Sequence, residues 1–375
     1  MKRVVAGIAV LLLAVSVIFA GDVGVSMEAK ANLWTKSADG NSDGFGIVSG
    51  DDYLGQLMTS YDAEKGGGFL RFRVMERSAT WDGVTANNAL HLDRWAVYVK
   101  PFGGVKLGMM TAPYEVFAES INWHPIFAAA LFETGSPKLY AEITAVKNLT
   151  LVAGVDSDLT DAEKPFNTFG AAAKYDIEGI GAASVMFENR AGISGQGKAQ
   201  VIGAAFNFTG VPNLTALVGY AAILNDTANM NSFAQNRIEA FVTYTAGAFS
   251  VSLYDGVVLR NADYVAKKAD GSDGVGGFGN RVAVKASYAL NDVVTPSLRI
   301  NHYMNYGDAS WGGLGLAGPA ETTGSLIVEP KVNFNLGNGI GCYAGAVITY
   351  NMNKDVADGN SRTTFSVPVG ITVDF

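Results

Sequence analysis

Three arginines, Arg71, Arg73 and Arg77, share one parity in a segment whose other parity is Leu70, Phe72 and Val74. In an extended chain this spacing puts cations on one face and apolar side chains on the other. Arg94 and Lys100 repeat the arrangement in the next segment, and Arg281, Lys285, Arg299, Glu329 and Lys331 repeat it later. Fixed charges set out in rows act on ions and polar solutes through space, without making or breaking a bond. Groups suited to bond chemistry are sparse. His91, His124 and His302 lie in separate segments, with no recurring serine or carboxylate spacing around them. His302 has the parity of Leu298, Ile300 and Met304, which assigns it to an apolar face or a rim. No zinc spacing and no glycine-rich phosphate loop occurs. Asp39-Gly-Asn41-Ser-Asp43-Gly matches the first half of a calcium loop, but Gly50 stands where the bidentate glutamate belongs. The stretch therefore reads as an Asp/Asn/Gly-rich turn. Cys342 is the single cysteine and lies in an apolar strand pattern, so disulfide frameworks and cysteine metal sites are excluded. The expectation is a protein that is not an enzyme and holds no cofactor.

The rows of charge need long, regular strands to hold them. Helical periodicity is almost absent, and segments of roughly 10–13 residues alternate with period two. The last segment sets Phe365, Val367, Val369, Ile371, Val373 and Phe375 on one face, with Thr364, Ser366, Gly370, Thr372 and Asp374 on the other. Strands are expected near 22–34, 54–62, 67–77, 89–100, 103–110, 136–146, 148–156, 167–177, 180–190, 198–208, 213–224, 235–246, 248–260, 280–290, 294–306, 323–336, 339–351 and 363–375. That is eighteen strands, or sixteen if weak segments such as 54–62 drop out.

Residues 1–20 stand apart. Lys2 and Arg3 precede an apolar run from Val4 to Phe19, and Ala20-Gly21 offers a cleavage point, the pattern of a signal peptide. An uncleaved anchor is the alternative reading of this segment. The remaining 25 basic residues face 35 acidic ones, a net charge of −10 that disfavours nucleic acid as a partner. Apolar residues make up 49% of the chain, yet no second run is long enough for a membrane helix. The apolar surface must therefore line a dry core or face lipid. Connection lengths separate the two. Short links at Pro101–Gly103, Lys147, Glu178–Gly179, Gly210–Pro212, Gly247 and Gly337–Asn338 alternate with long ones at 35–53, 111–135, 157–166, 261–279, 307–322 and 352–362. A sandwich has no physical reason to keep such parity, whereas a transmembrane barrel has short periplasmic turns and longer outer loops. The expected architecture is all-β: residues 21–375 form one transmembrane antiparallel barrel of 16–18 strands.

At this point the mature chain resembles, end to end, the general porins of Gram-negative outer membranes. Gly370, Val373 and Phe375 are similar to the terminal signal read by the barrel-assembly machinery, with Pro368 where a polar residue is usual. The run from Trp95 to Met109 is similar to the hairpin before the third loop, and 111–135 would be that loop. The resemblance implies a loop that folds into the lumen and narrows it, with Glu115, Glu119 and Glu133 as its acidic side. The rows at Arg71, Arg73, Arg77, Arg94, Lys100, Arg281, Lys285, Arg299, Glu329 and Lys331 would line the opposite wall. It also implies passive diffusion of small hydrophilic solutes, a setting in outer-membrane lipid, and a homotrimer. A channel specific for sugars or organic acids and a surface adhesin or structural barrel are the alternatives. Of Tyr175, Phe187, Phe206, Phe208, Tyr244, Phe249, Tyr288, Phe334 and Tyr350, most fall near strand ends with lipid parity, as interfacial girdles require.

Overall fold

The computed structural model describes residues 22–36, 44–46, 55–74, 79–81, 84–86, 90–111, 114–115, 130–131, 137–156, 168–190, 199–223, 235–260, 265–267, 273–276, 278–304, 324–352 and 362–374. Eighteen wall strands run through them. They are β1 (Asp22–Lys36), β2 (Gly55–Asp62), β3 (Gly66–Val74), β4 (Leu90–Val99), β5 (Val105–Met110), β6 (Lys138–Ile143), β7 (Leu149–Asp156), β8 (Thr168–Ile177) and β9 (Gly181–Arg190). They continue as β10 (Ala199–Val211), β11 (Leu214–Ile223), β12 (Gln235–Ala246), β13 (Phe249–Arg260), β14 (Phe278–Tyr288), β15 (Val294–Met304), β16 (Gly324–Gly337), β17 (Ile340–Gly345, resuming as Val347–Asn351) and β18 (Thr363–Asp374). Each pairs antiparallel with its neighbours in sequence.

β18 returns to β1, from Ser26 opposite Asp374 to Lys36 opposite Phe365, and closes the ring. Closure removes the edges that an open sheet would present to lipid. Eighteen is the count, and the segment 55–62 is a full member of the wall between β1 and β3.

Link parity holds throughout. The even-to-odd links are 63–65, 100–104, 144–148, 178–180, 212–213, 247–248, 289–293 and 338–339, and the odd-to-even links are all longer. Asn148, Asn213 and Asn338 take positive φ in these short turns, a conformation asparagine tolerates better than most residues. Two prolines lie beside irregularities of the ladder. Pro368 opposes Asn32 at the register shift between Asn32 and Thr35 of β1. The interruption of β17 at Ala346 lies beside Pro330, which has no N–H to give, although the Ala346 N–H still donates to the Pro330 carbonyl at 2.9 Å.

Alternation fixes the two faces of the wall. Val185, 58% exposed, and Ile371, 56% exposed, belong to the outward set, with Tyr175, Tyr244, Phe249 and Tyr288 close to the short-turn rim. All nine girdle aromatics expected from the sequence carry outward parity in the observed register. The opposite set holds most of the described charges, Asp255 on the outward set being an exception. Further short ladders lie in the long links, among them Tyr114–Glu115 with Ala130–Leu131 in the link between β5 and β6.

Candidate functional site

The lumen face begins, at the short-turn rim, with a polar network across β2, β4, β5 and β6. The Tyr98 hydroxyl donates to the Asp62 carboxylate at 2.7 Å, and Lys100 pairs with the same carboxylate and donates to the Ala63 carbonyl at 2.9 Å. Lys106 bridges to Glu142 at 2.9 Å, its cross-strand partner in the register. The Tyr98 ring has Lys100 and Lys106 over it at 5.7 and 5.5 Å. These groups are only partly buried, so water screens their charges.

Higher on the same side, Arg71 of β3 lies directly opposite Arg94 of β4. Two like charges in a cross-strand pair repel unless an anion or a third group lies between them. A bulge follows at once, because Phe72 opposes Leu92 and leaves Asp93 as the extra residue. Arg73 shares the lumen parity of Arg71 and opposes His91. Arg77, Glu119 and Glu133 lie outside the described residues, as do Asp39, Asn41, Asp43 and Phe375. Glu115 is in the short ladder with Ala130, whose strand also approaches β8, two strands beyond β6 in the wall. The third long link thus turns back toward the wall.

Several side chains of lumen parity are buried. Glu188 on β9, Lys138 on β6 and Tyr254 on β13 are fully buried although they carry lumen parity, and Arg237, Glu239, Arg281 and Asn301 are nearly so. Arg237 donates to Glu239 at 2.7 Å, two residues along β12 on the same face. The Tyr254 hydroxyl donates to the same carboxylate at 2.6 Å. Gly256 separates Glu239 from Arg281 in the register, leaving room for both side chains. The Arg281 guanidinium lies 5.6 Å from the Tyr254 ring and 4.6 Å from the Tyr303 ring. Beneath it, Tyr254 packs with Ala182, Ala205, Leu217 and Ala283.

Between these regions the charges pair or stack. Arg299 Nε donates to Glu329 at 2.7 Å across β15 and β16, and Lys331 sits 3.5 Å above the centre of the Tyr343 ring. That ring occupies the space a Cβ on Gly370 would need. Lys285 is exposed to the lumen.

The structure therefore brings Arg71 and Arg94 together and pairs Arg299 with Glu329, and it ties Lys100 to Asp62 rather than to a loop carboxylate. Sequence reasoning missed Lys138, Glu188, Arg237 and Glu239, and the lumen tyrosines Tyr98, Tyr140, Tyr254, Tyr303 and Tyr343. The signal for Arg237 and Glu239 was present, since they alternate with Ile238 as the arginine row alternates with Leu70 and Phe72.

Solved structures with this geometry are outer-membrane proteins. OpdK of Pseudomonas aeruginosa aligns over 94% of this chain and 99% of its own at 11% identity, with a TM-score of 0.53. OccAB2 of Acinetobacter baumannii aligns over 95% and 98% at 9% identity, with a TM-score of 0.55. The fold is that of the porin-like outer-membrane barrels. OpdL of Pseudomonas aeruginosa shares it at 11% identity and a TM-score of 0.54, over 95% of this chain and 98% of its own. No family model and no curated protein sequence matches the chain. The likeness thus lies in the porin-like architecture and not in shared motifs.

Proposed function

We propose that this chain is a passive channel of the bacterial outer membrane for small hydrophilic solutes and ions. The observation that carries the proposal is the closed eighteen-strand ring with charged and polar side chains inward and apolar side chains outward. A ring of this size leaves an aqueous passage, whereas about eight strands are filled by their own side chains. Its selectivity comes from rings of fixed charge at the narrowest level, with no tight site and no catalytic step. Arg71, Arg73, Arg77 and Arg94 are the wall of that level, and Glu115, Glu119 and Glu133 of the third link are its acidic side. Residues 1–20 act as the export signal, Gly370, Val373 and Phe375 as the assembly signal, and the working unit is a homotrimer.

Purified protein in a planar bilayer should give stable conductance steps. A protein that inserts without such steps would refute the proposal. Arg71→Glu combined with Arg94→Glu should move the reversal potential in a salt gradient toward cation preference, and no movement would remove both residues from the constriction.

One observation favours a narrower reading, a channel selective for organic anions. Arg71 and Arg94 face each other in the register with lumen parity, and paired guanidinium groups are suited to bidentate carboxylate binding. OpdK has been crystallised with vanillate. Vanillate added to one side should then reduce the small-ion current in a manner lost in the Arg71→Glu, Arg94→Glu protein.

A further inference from the structure

Charge is sorted by level along the barrel. The eight long links other than the third, 37–54, 75–89, 157–167, 191–198, 224–234, 261–277, 305–323 and 352–362, hold 17 acidic residues and 7 basic ones. All of them join strand ends at one rim. Inside the wall the sign reverses. Leaving out the last two residues of each strand at the short-turn end, the wall strands carry 13 basic and 5 acidic residues with lumen parity. Those end residues and the short links together make the short-turn rim, which holds 8 acidic and 4 basic residues. Two of its basic residues, Lys100 and Lys106, are paired there with Asp62 and Glu142. From rim to rim the order is acidic, basic, acidic.

The levels are far enough apart to act separately. Arg71 and Lys285 stand three and seven residues from the long-link ends of β3 and β14, about 10 and 23 Å along the strand. Both distances exceed the ~8 Å over which physiological salt screens a charge. A small anion is therefore repelled at the acidic rims, and a small cation is repelled in the basic middle. We infer that the pore selects by net charge, favouring solutes that carry an ammonium and a carboxylate together over small ions of either sign. Such a solute has no net charge to be repelled at any level. It turns its ammonium toward the long-link rim and its carboxylate toward the middle, where Arg71 and Arg94 stand side by side in the register. The inference rests on the channel reading, and it narrows the organic-anion reading to solutes whose carboxylate is balanced by a cation.

The test measures release of labelled glycine betaine, tetramethylammonium and methanesulfonate from loaded proteoliposomes, with equal salt on both sides and each rate corrected for free diffusion. None of the three crosses a bilayer readily without a channel. At ~0.01 M salt, where the screening length is ~30 Å, betaine should leave about tenfold faster than either ion, and at ~1 M salt the three rates should converge. Betaine no faster than one of the ions at low salt would overturn the inference, and so would a lead that survives high salt. Arg71→Glu with Arg94→Glu should let tetramethylammonium gain on betaine, and no gain would reject the basic middle as the cation barrier. Should that protein fail to fold, a second variant lies wholly in the long links. Asp51→Asn, Asp52→Asn, Asp355→Asn and Asp358→Asn together should speed methanesulfonate alone, and an unchanged rate would reject the acidic rim. Inserted protein without conductance steps would refute the channel reading, whereas steady steps with equal release of all three solutes would refute only this inference.

Discussion

Two regions of one lumen use the same residue types for different ends. On β12–β14, Arg237, Glu239, Tyr254 and Arg281 are buried and held by short hydrogen bonds and ring contacts. On β2–β6, Asp62, Lys100, Lys106 and Glu142 form pairs that remain partly in contact with water. Buried charge is tolerable only when each charge keeps its partner, so the first region makes the wall rigid. Pairs still reached by water gain little and lose little when broken, so the second region contributes little to holding the fold. Burial, and not residue type, divides the charges that hold this wall from those that do not.

The sharpest way to break this comparison is Glu239→Ala. It removes the carboxylate that Arg237 and the Tyr254 hydroxyl share in a buried site, and the expected loss is about 3–5 kcal/mol, read from urea unfolding in lipid vesicles. A loss under 1 kcal/mol would mean that water reaches the cluster. Tyr254→Phe removes one hydrogen bond to a charged acceptor and should cost about 1.5–3 kcal/mol in the same assay. Gly370→Ala probes a different contact, because its new methyl collides with the Tyr343 ring beneath Lys331. Overpacking of this kind should cost about 1–3 kcal/mol, with slower barrel closure visible as a lagging heat-modified band. Lys106→Met, at the other extreme, breaks a pair that water still reaches and should cost about 0–1 kcal/mol. Salt sharpens the contrast further. Raising ionic strength to 1 M shrinks the screening length to about 3 Å, which should abolish the Lys106→Met difference and leave the Glu239→Ala difference in place.

Much of the wall was legible in the chain. The alternation of Phe365 to Val373 and the short turns at Gly247 and Asn338 specify strands and rims locally, through a period of two and through turn chemistry. Arg71, Arg94, Lys285, Arg299 and Lys331 carried lumen parity in the sequence and do so in the structure. Less legible was what each lumen charge meets. Lys100 and Asp62 are 38 residues apart and Arg299 and Glu329 are 30 apart. Their pairing depends on the register of neighbouring strands. Tyr98, Tyr254 and Tyr343 escaped notice because an aromatic on a strand reads as a lipid anchor until its face is known.

The sequence by itself determined an all-β chain with an apolar face, a charged face and rims of unequal loop length, since each is written in residues a few positions apart. Only the tertiary structure decided that there are eighteen strands, that Arg71 meets Arg94, and that Glu239 is buried and Glu142 is not. Those outcomes depend on register and curvature, which set distances between residues far apart in the chain, and no local pattern encodes such distances.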